Sequence, residues 1–274
     1  MNHPVIEALT QLEFAAAEQF WNSEDRSAWK EDLLRQSETL TLVSLKKFIT
    51  PPAGEEKPTR TQVPVFPATI WDSDLRQCFY SKSVDAHEAS EPDTFQIALS
   101  RLTQSDAGTL MGVMLRPGFW MNETWADEED LLRNALKAAR EKQTLVFRTG
   151  FFTHPADILL AADLGFTGIQ IHAGQLDLYE LQMAIELARD CKLCPVVSVS
   201  TEAEMEQVVQ TDAPHIALCS FPGEGQDASL RFVQNALPKI PNNCTRILMT
   251  ANRSEQDLQL IGRLGFHAII HFGE

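Results

Sequence analysis

Between residues 144 and 172 the chain switches between two hydrophobic periods. TLVFRT is a short β-branched and apolar run, and GFFTHP is marked as a loop by its Gly, Thr and Pro. ADILLAADLGF then carries Ile158, Leu159, Ala162 and Leu164 at helical spacing. Gly165 ends that helix, and TGIQIH opens a second apolar run. Strand, loop, helix and strand in this order predict the crossover that consecutive parallel strands require.

The same alternation runs to the C-terminal end. Helices are predicted over 177–190, 228–237 and 254–264, and strands over 195–200 (PVVSVS), 215–220, 246–250 and 267–272. Thr201, with Glu204 three residues on, predicts a capping box for the helix that follows 195–200. Upstream, 109–115 (TLMGVML) reads as a strand and 92–105 as a helix. Residues 127–142 read as a helix whose acidic first turn suits the macrodipole. Residues 39–48 (TLTLVSLKKF) alternate and are taken as the first strand. Residues 4–36 are helical in pattern, with Ile6, Leu9, Leu12 and Phe14, then Trp29, Leu33 and Leu34, and a break at 22–25. The proline-rich stretch 49–92 is predicted as a long loop with short elements at 63–66 and 69–71.

Eight strands followed by seven helices predict an α/β fold, a single (β/α)8 TIM barrel with a helical N-terminal extension. Residues 1–38 would be helices packed on the barrel and 39–274 the barrel itself, in one structural domain. The last strand reaches almost to Glu274, so the last helix of the barrel is expected to be missing. A doubly wound open sheet is the alternative, disfavoured by the absence of a Gly-rich fingerprint after an early strand.

Segment order and spacing from about Leu40 onward resemble the indole-3-glycerol phosphate synthase family. The family's first strand reads A-E-I-K-R-x-S-P-S where this chain has VSLKKFITP, and its third reads P-V-L-R-K-D-F where this chain has LVFRTGF. The family's L-V-E-V-H appears as VVSVS, its G-I-N-N-R as ALCSF, its S-E-S-G-I as MTANR, and its closing G-A-D-A-x-L-x-G-E as GFHAIIHFGE. The resemblance implies a carboxy-lyase of tryptophan biosynthesis on a TIM barrel. It also implies which positions carry the chemistry, and these are substituted. Ser44 stands for the first-strand Glu, while Lys46 is kept; Thr149 stands for the third-strand Lys and Ser198 for the fifth-strand Glu. Cys219 or Ser220 stands for the sixth-strand Asn, and Ala251 and Asn252 for the seventh-strand Ser-Gly. With no carboxylate left there, general acid catalysis of the family reaction lacks its proton donors.

Length and composition narrow the picture further. The chain has 274 residues, within the usual range of one such barrel at ~250. A net charge of −15 disfavours nucleic acid and anionic membrane surfaces as partners. No apolar run approaches the ~18 residues needed to span a bilayer. The N-terminus lacks a basic leader, and five scattered cysteines fit reduced thiols, so a cytoplasmic location is expected.

Active sites of such barrels lie at strand C-terminal ends, where Lys46, Arg148, His172, Ser198, Ser200, Cys219, Thr250 and His271 are expected. Lys46, Arg148, His172 and His271 would form a basic cluster which, with Ser198, suits a carboxylate or phosphate; the alternative is that they satisfy one another and nearby carbonyls. Lys46, His172 and His271 are the candidate catalytic groups, with Glu55 or Glu56 assisting if the family reaction survives. No cofactor is implied. No metal is expected either: His154, His172 and His271 lack ligand spacing, and Cys191 and Cys194 (CKLC) lie at a helix-to-strand junction away from catalysis. Phe119, Trp120, Met121 and Trp125 would flank the mouth, contacting a ligand or partner or packing under the long loop. The readings that follow are a barrel without the family reaction that binds an anionic metabolite or a protein partner, an active enzyme of the tryptophan pathway with relocated groups, and another phosphate-sugar or small-acid enzyme using His172 or His271.

Overall fold

A computed structural model describes residues 4–22, 26–46, 65–67, 99, 102–104, 110–115, 125–220, 226–251 and 255–272. Two helices, α1 (Pro4–Asn22) and α2 (Arg26–Ser37), precede the sheet. Its strands are β1 (Val65–Pro67), β2 (Leu110–Met114), β3 (Leu145–Thr149), β4 (Gly168–His172), β5 (Cys194–Val199), β6 (His215–Ser220), β7 (Thr245–Ala251) and β8 (Ala268–Phe272). Between successive strands from β2 onward run α3 (Trp125–Glu141), α4 (Pro155–Leu164), α5 (Leu178–Asp190), α6 (Glu202–Val208), α7 (Gln226–Ala236) and α8 (Glu255–Gly262). The crossover pattern read from the sequence is borne out from β2 to β8. No helix among the described residues is long and apolar enough to cross a membrane.

Every strand pairing is parallel, and the order across the sheet is β1-β8-β7-β6-β5-β4-β3-β2. The two ends, β1 and β2, share no pairing among the described residues. The sheet curls, since Leu110 of β2 and Ala268 and Ile270 of β8 line one cavity. Alternation then sorts each strand into two cores. Leu145, Phe147, Cys194, Val196, Ala217, Ile247, Met249 and Ala268 fill the concave face. Val113, Val146, Ile169, Ile171, Val197, Leu218, Leu248 and Ile269 form the layer under the helices.

The first strand differs from the sequence reading. Residues 39–46 contain no strand, and 47–48 lie outside the described residues. The alternation there does not mark a buried face, because Leu40 and Leu42 are exposed and only Leu45 is fully buried. Leu45 instead plugs the concave face near the strand N-terminal ends, among Leu145, Cys194 and Ala268. The place beside β8 is taken by β1, with Val65 opposite Ile269. Of the helix predicted over 92–105, residues 99 and 102–104 are helical and the rest lies outside the described residues, as do the short element at 69–71, Glu55 and Glu56. Phe119, Trp120 and Met121 fall there too, whereas Trp125 opens α3.

Local chemistry places α4. His154 and Asp157 form the capping box, Pro155 occupies the first turn, and Gly165 ends the helix at φ 96° with its N–H donating to Ala161 and Ala162 carbonyls. Gly168, the first residue of β4, is demanded by packing. A Cβ there would lie 2.3 Å from Phe147 Cε1 and 2.7 Å from the Cys194 carbonyl oxygen. The backbone oxygen cannot move aside, so Gly168→Ala is expected to destabilise by roughly 1–3 kcal/mol in urea unfolding. A loss below about 0.5 kcal/mol would show that the sheet relaxes freely there.

Candidate functional site

The C-terminal ends of β4, β5 and β6 bring together His172, Ser198 and Cys219, and Ser200 and Glu204 join them from the start of α6. His172 and Ser198 are register partners across β4 and β5. The His172 side chain is 38% exposed, enough for a ligand to reach it. Its Nδ1 lies 3.1 Å from the Ser198 carbonyl oxygen. A carbonyl only accepts, so Nδ1 carries the proton and Nε2 is the free acceptor of the neutral ring. Glu204 Oε2 stands 3.9 Å from the same Nδ1.

Glu204 is held in place from three sides. Its Oε2 accepts from the Ser200 N–H at 2.6 Å, and its own N–H donates to Thr201 Oγ1 at 3.2 Å. Gly174 makes room for it, since a Cβ there would lie 2.9 Å from Glu204 Oε1. The predicted box at Thr201 is thus present with a shift of one residue, its carboxylate taking the N–H before the cap. Ser200 and Ser198 favour the Cys219 thiolate, yet burial pushes the thiol up to about 12, and the Glu204 charge adds to this. A thiol in that state is a weak proton donor and not a thiolate nucleophile. The cluster can therefore hold a polar ligand and offer one base, His172 Nε2.

The four predicted cationic groups do not converge. Arg148 faces the helices, on the side of Val146, because β3 presents Leu145 and Phe147 to the concave face. Its guanidinium donates to the Asp157 carbonyl and lies 3.4 Å from Asp157 Oδ1 and 3.2 Å from Glu13 Oε1 of α1. Lys46 follows the Leu45 plug, at the opposite end of the strands, where its charge bears on His215 and His267. His271 pairs with Thr250 and Pro67 through the backbone, and its side chain lies outside the described residues. His172 and Ser198 are the pair the structure does bring together.

The remaining candidates have structural surroundings. His154 packs edge-on against Trp21 at 5.3 Å and Phe14 at 6.2 Å, and burial lowers its pKa. Thr250 Oγ1 donates to the Ser220 carbonyl at 2.8 Å, on the helix-facing side. Burial pushes the Cys191 and Cys194 thiols up to about 12. Among the described residues no group of three or more His, Cys, Asp or Glu is placed to hold a metal. Sequence reasoning missed Glu204 as part of the site and read it only as a cap; its place four residues after a strand-end Ser was the available signal.

No family model and no curated protein matches this sequence. Among solved structures, the chain is similar to thiamine phosphate pyrophosphorylase from Pyrococcus furiosus, with 12% identity over 78% of this chain and 87% of that one, at a TM-score of 0.47. It is similar to the same extent to citrate synthase SbnG, with 12% identity over 78% and 87% of the two chains, at a TM-score of 0.46. Likeness at this level assigns no chemistry, which rests on the side chains described above.

Proposed function

We propose that the chain is a closed (β/α)8 barrel laid out like indole-3-glycerol phosphate synthase, that it no longer performs that family's reaction, and that it binds a small cytoplasmic metabolite at the mouth formed by β4, β5 and β6. The observation that carries this reading is the pair Thr149 and Ser198. Both follow the concave-face phase of their strands, Thr149 after Phe147 and Ser198 after Val196. They stand where the family resemblance implies Lys and Glu, and a hydroxyl supplies neither a proton at neutral pH nor a base of carboxylate strength. The cations that would compensate are elsewhere, Arg148 under the helices and Lys46 at the far end of the strands. His172 is the anchor that remains, with an accessible Nε2 and a fixed Nδ1.

Given the anthranilate-derived substrate of the family, the protein is expected to release no indole product above a buffer blank. Turnover at ~1 s⁻¹ or faster would overturn the loss of activity. A thermal-shift screen of phosphate and carboxylate metabolites tests the binding half, because a ligand at 100 times its Kd adds about 2.7 kcal/mol to native stability. His172→Ala is expected to abolish the shift of any hit; an undiminished shift would place the site elsewhere. One observation favours a second reading, an enzyme using His172 as general base. The Ser198 carbonyl and Glu204 both address Nδ1, the arrangement that orients an imidazole for proton abstraction at Nε2.

A further inference from the structure

Below the mouth, the concave face encloses a cavity of about 40 Å³. Among the described residues its wall is apolar apart from two side chains, Thr149 and Gln170. The β3–β4 register, Arg148 opposite Ile169, sets these two side by side on neighbouring strands. Gln170 lies two residues before His172 on the same face of β4, so the cavity sits one step beneath the mouth.

The Thr149 hydroxyl is left without a partner in this wall. Thr149 is 2% exposed, and its Oγ1 has no hydrogen-bond partner. Gln170 is half-buried and turns its amide side chain to the same cavity. An unpaired buried hydroxyl destabilises the fold unless a group beside it takes its hydrogen bond, and the cavity is where such a group fits. Among the described residues no ionisable side chain lines the cavity. A carboxylate or phosphate entering it would lose its hydration against no counter-charge. One water needs roughly 10–15 Å³ of such space, which leaves room here for about three non-hydrogen atoms. Thr and Gln side chains each both donate and accept. A primary carboxamide is a neutral group of that size, and it donates and accepts at once, as both side chains require.

We propose that this cavity receives the neutral carboxamide end of a small ligand, bound between Thr149 and Gln170. The rest of the ligand emerges past His172 and Ser198, a second half that rests on the mouth reading above, whereas the carboxamide site does not. Acetamide, acetone and acetate are close isosteres and serve as probes. In a ¹H–¹⁵N NMR titration, acetamide is expected to shift the Thr149 and Gln170 signals saturably while acetone and acetate do not. Thr149→Val keeps the side-chain shape and removes the hydroxyl. It is expected to weaken acetamide at least tenfold and to raise the unfolding midpoint of the ligand-free protein by about 2–4 °C. An equal response to the three probes, unchanged acetamide affinity in Thr149→Val, or a lowered midpoint in that variant would overturn the proposal. Acetamide is too short to reach His172. A positive titration with a negative metabolite screen therefore counts against the mouth reading alone, and the converse counts against this site alone.

Discussion

Replacing Arg148 with methionine is expected to lower the unfolding midpoint by on the order of 10 °C. Arg148 is 2% exposed, Glu13 is 1% exposed and Asp157 is wholly buried. The guanidinium thus lies between two carboxylates in a space closed to water. Asp157 has further support, its Oδ2 accepting the N–H groups of Thr153 at 2.9 Å and His154 at 3.1 Å at the start of α4. Glu13, on α1, holds its Oε1 3.2 Å from the Arg148 guanidinium. Removing one member of a buried ion pair strands the other charge and typically costs 3–5 kcal/mol. The guanidinium also lies over the Phe152 ring, 4.9 Å from its centroid, so packing is lost along with charge. Because Glu13 belongs to α1, the variant is further expected to expose α1 to limited proteolysis before the sheet unfolds. A change below about 1 kcal/mol in urea unfolding would mean that the triad contributes little, as exposed pairs do.

Arg148 also shows what the sequence could not convey. The five residues of β3 are all buried, so the strand has no polar side to say which face is inward. Its phase is set by Phe147, whose ring needs the space left by Gly168 on the concave face. Reading Arg148 as a mouth residue follows from choosing the other phase. The misplacement of Lys46 has a different origin. Residues 39–46 alternate, but their apolar side chains are divided between solvent and the concave face, and the strand that does pair with β8 is three residues long, too short for any periodicity to register. From β3 onward the alternation of periods was legible to within a residue or two, because each crossover carries its own caps and stops, such as Pro155, Gly165, Asp177 and Thr201. His172 and Ser198 were legible as strand-end polar residues. The Thr149–Gln170 cavity was not, since a void is a property of packing between strands and leaves no mark on either one.

Acid is expected to unfold the protein through His215, with stability falling as pH drops from 6.5 towards 4. His215 opens β6 on the concave-face phase of Ala217, is 9% exposed, and its Nδ1 has no partner. Burial, helped by the charges of Arg189 and Lys46, lowers its pKa from 6.5 to about 4. The sign follows from proton uptake. Between pH 6.5 and 4 the unfolded chain binds a proton at this residue and the folded chain does not, so the stability that is fully present above 6.5 is lost progressively until the folded site also protonates. A shift of that size corresponds to on the order of 3 kcal/mol. His267 and His154 are shifted in the same direction by burial and steepen the same limb. Urea unfolding at pH 7.5 and 4.5 gives the difference directly. In His215→Gln, which stays neutral throughout, that difference is expected to shrink by about 2–3 kcal/mol, with the contribution of the other two histidines remaining. An acid limb of the same depth in both proteins would show that His215 is protonated at no cost in the folded state and that the basic groups around it do not act on it.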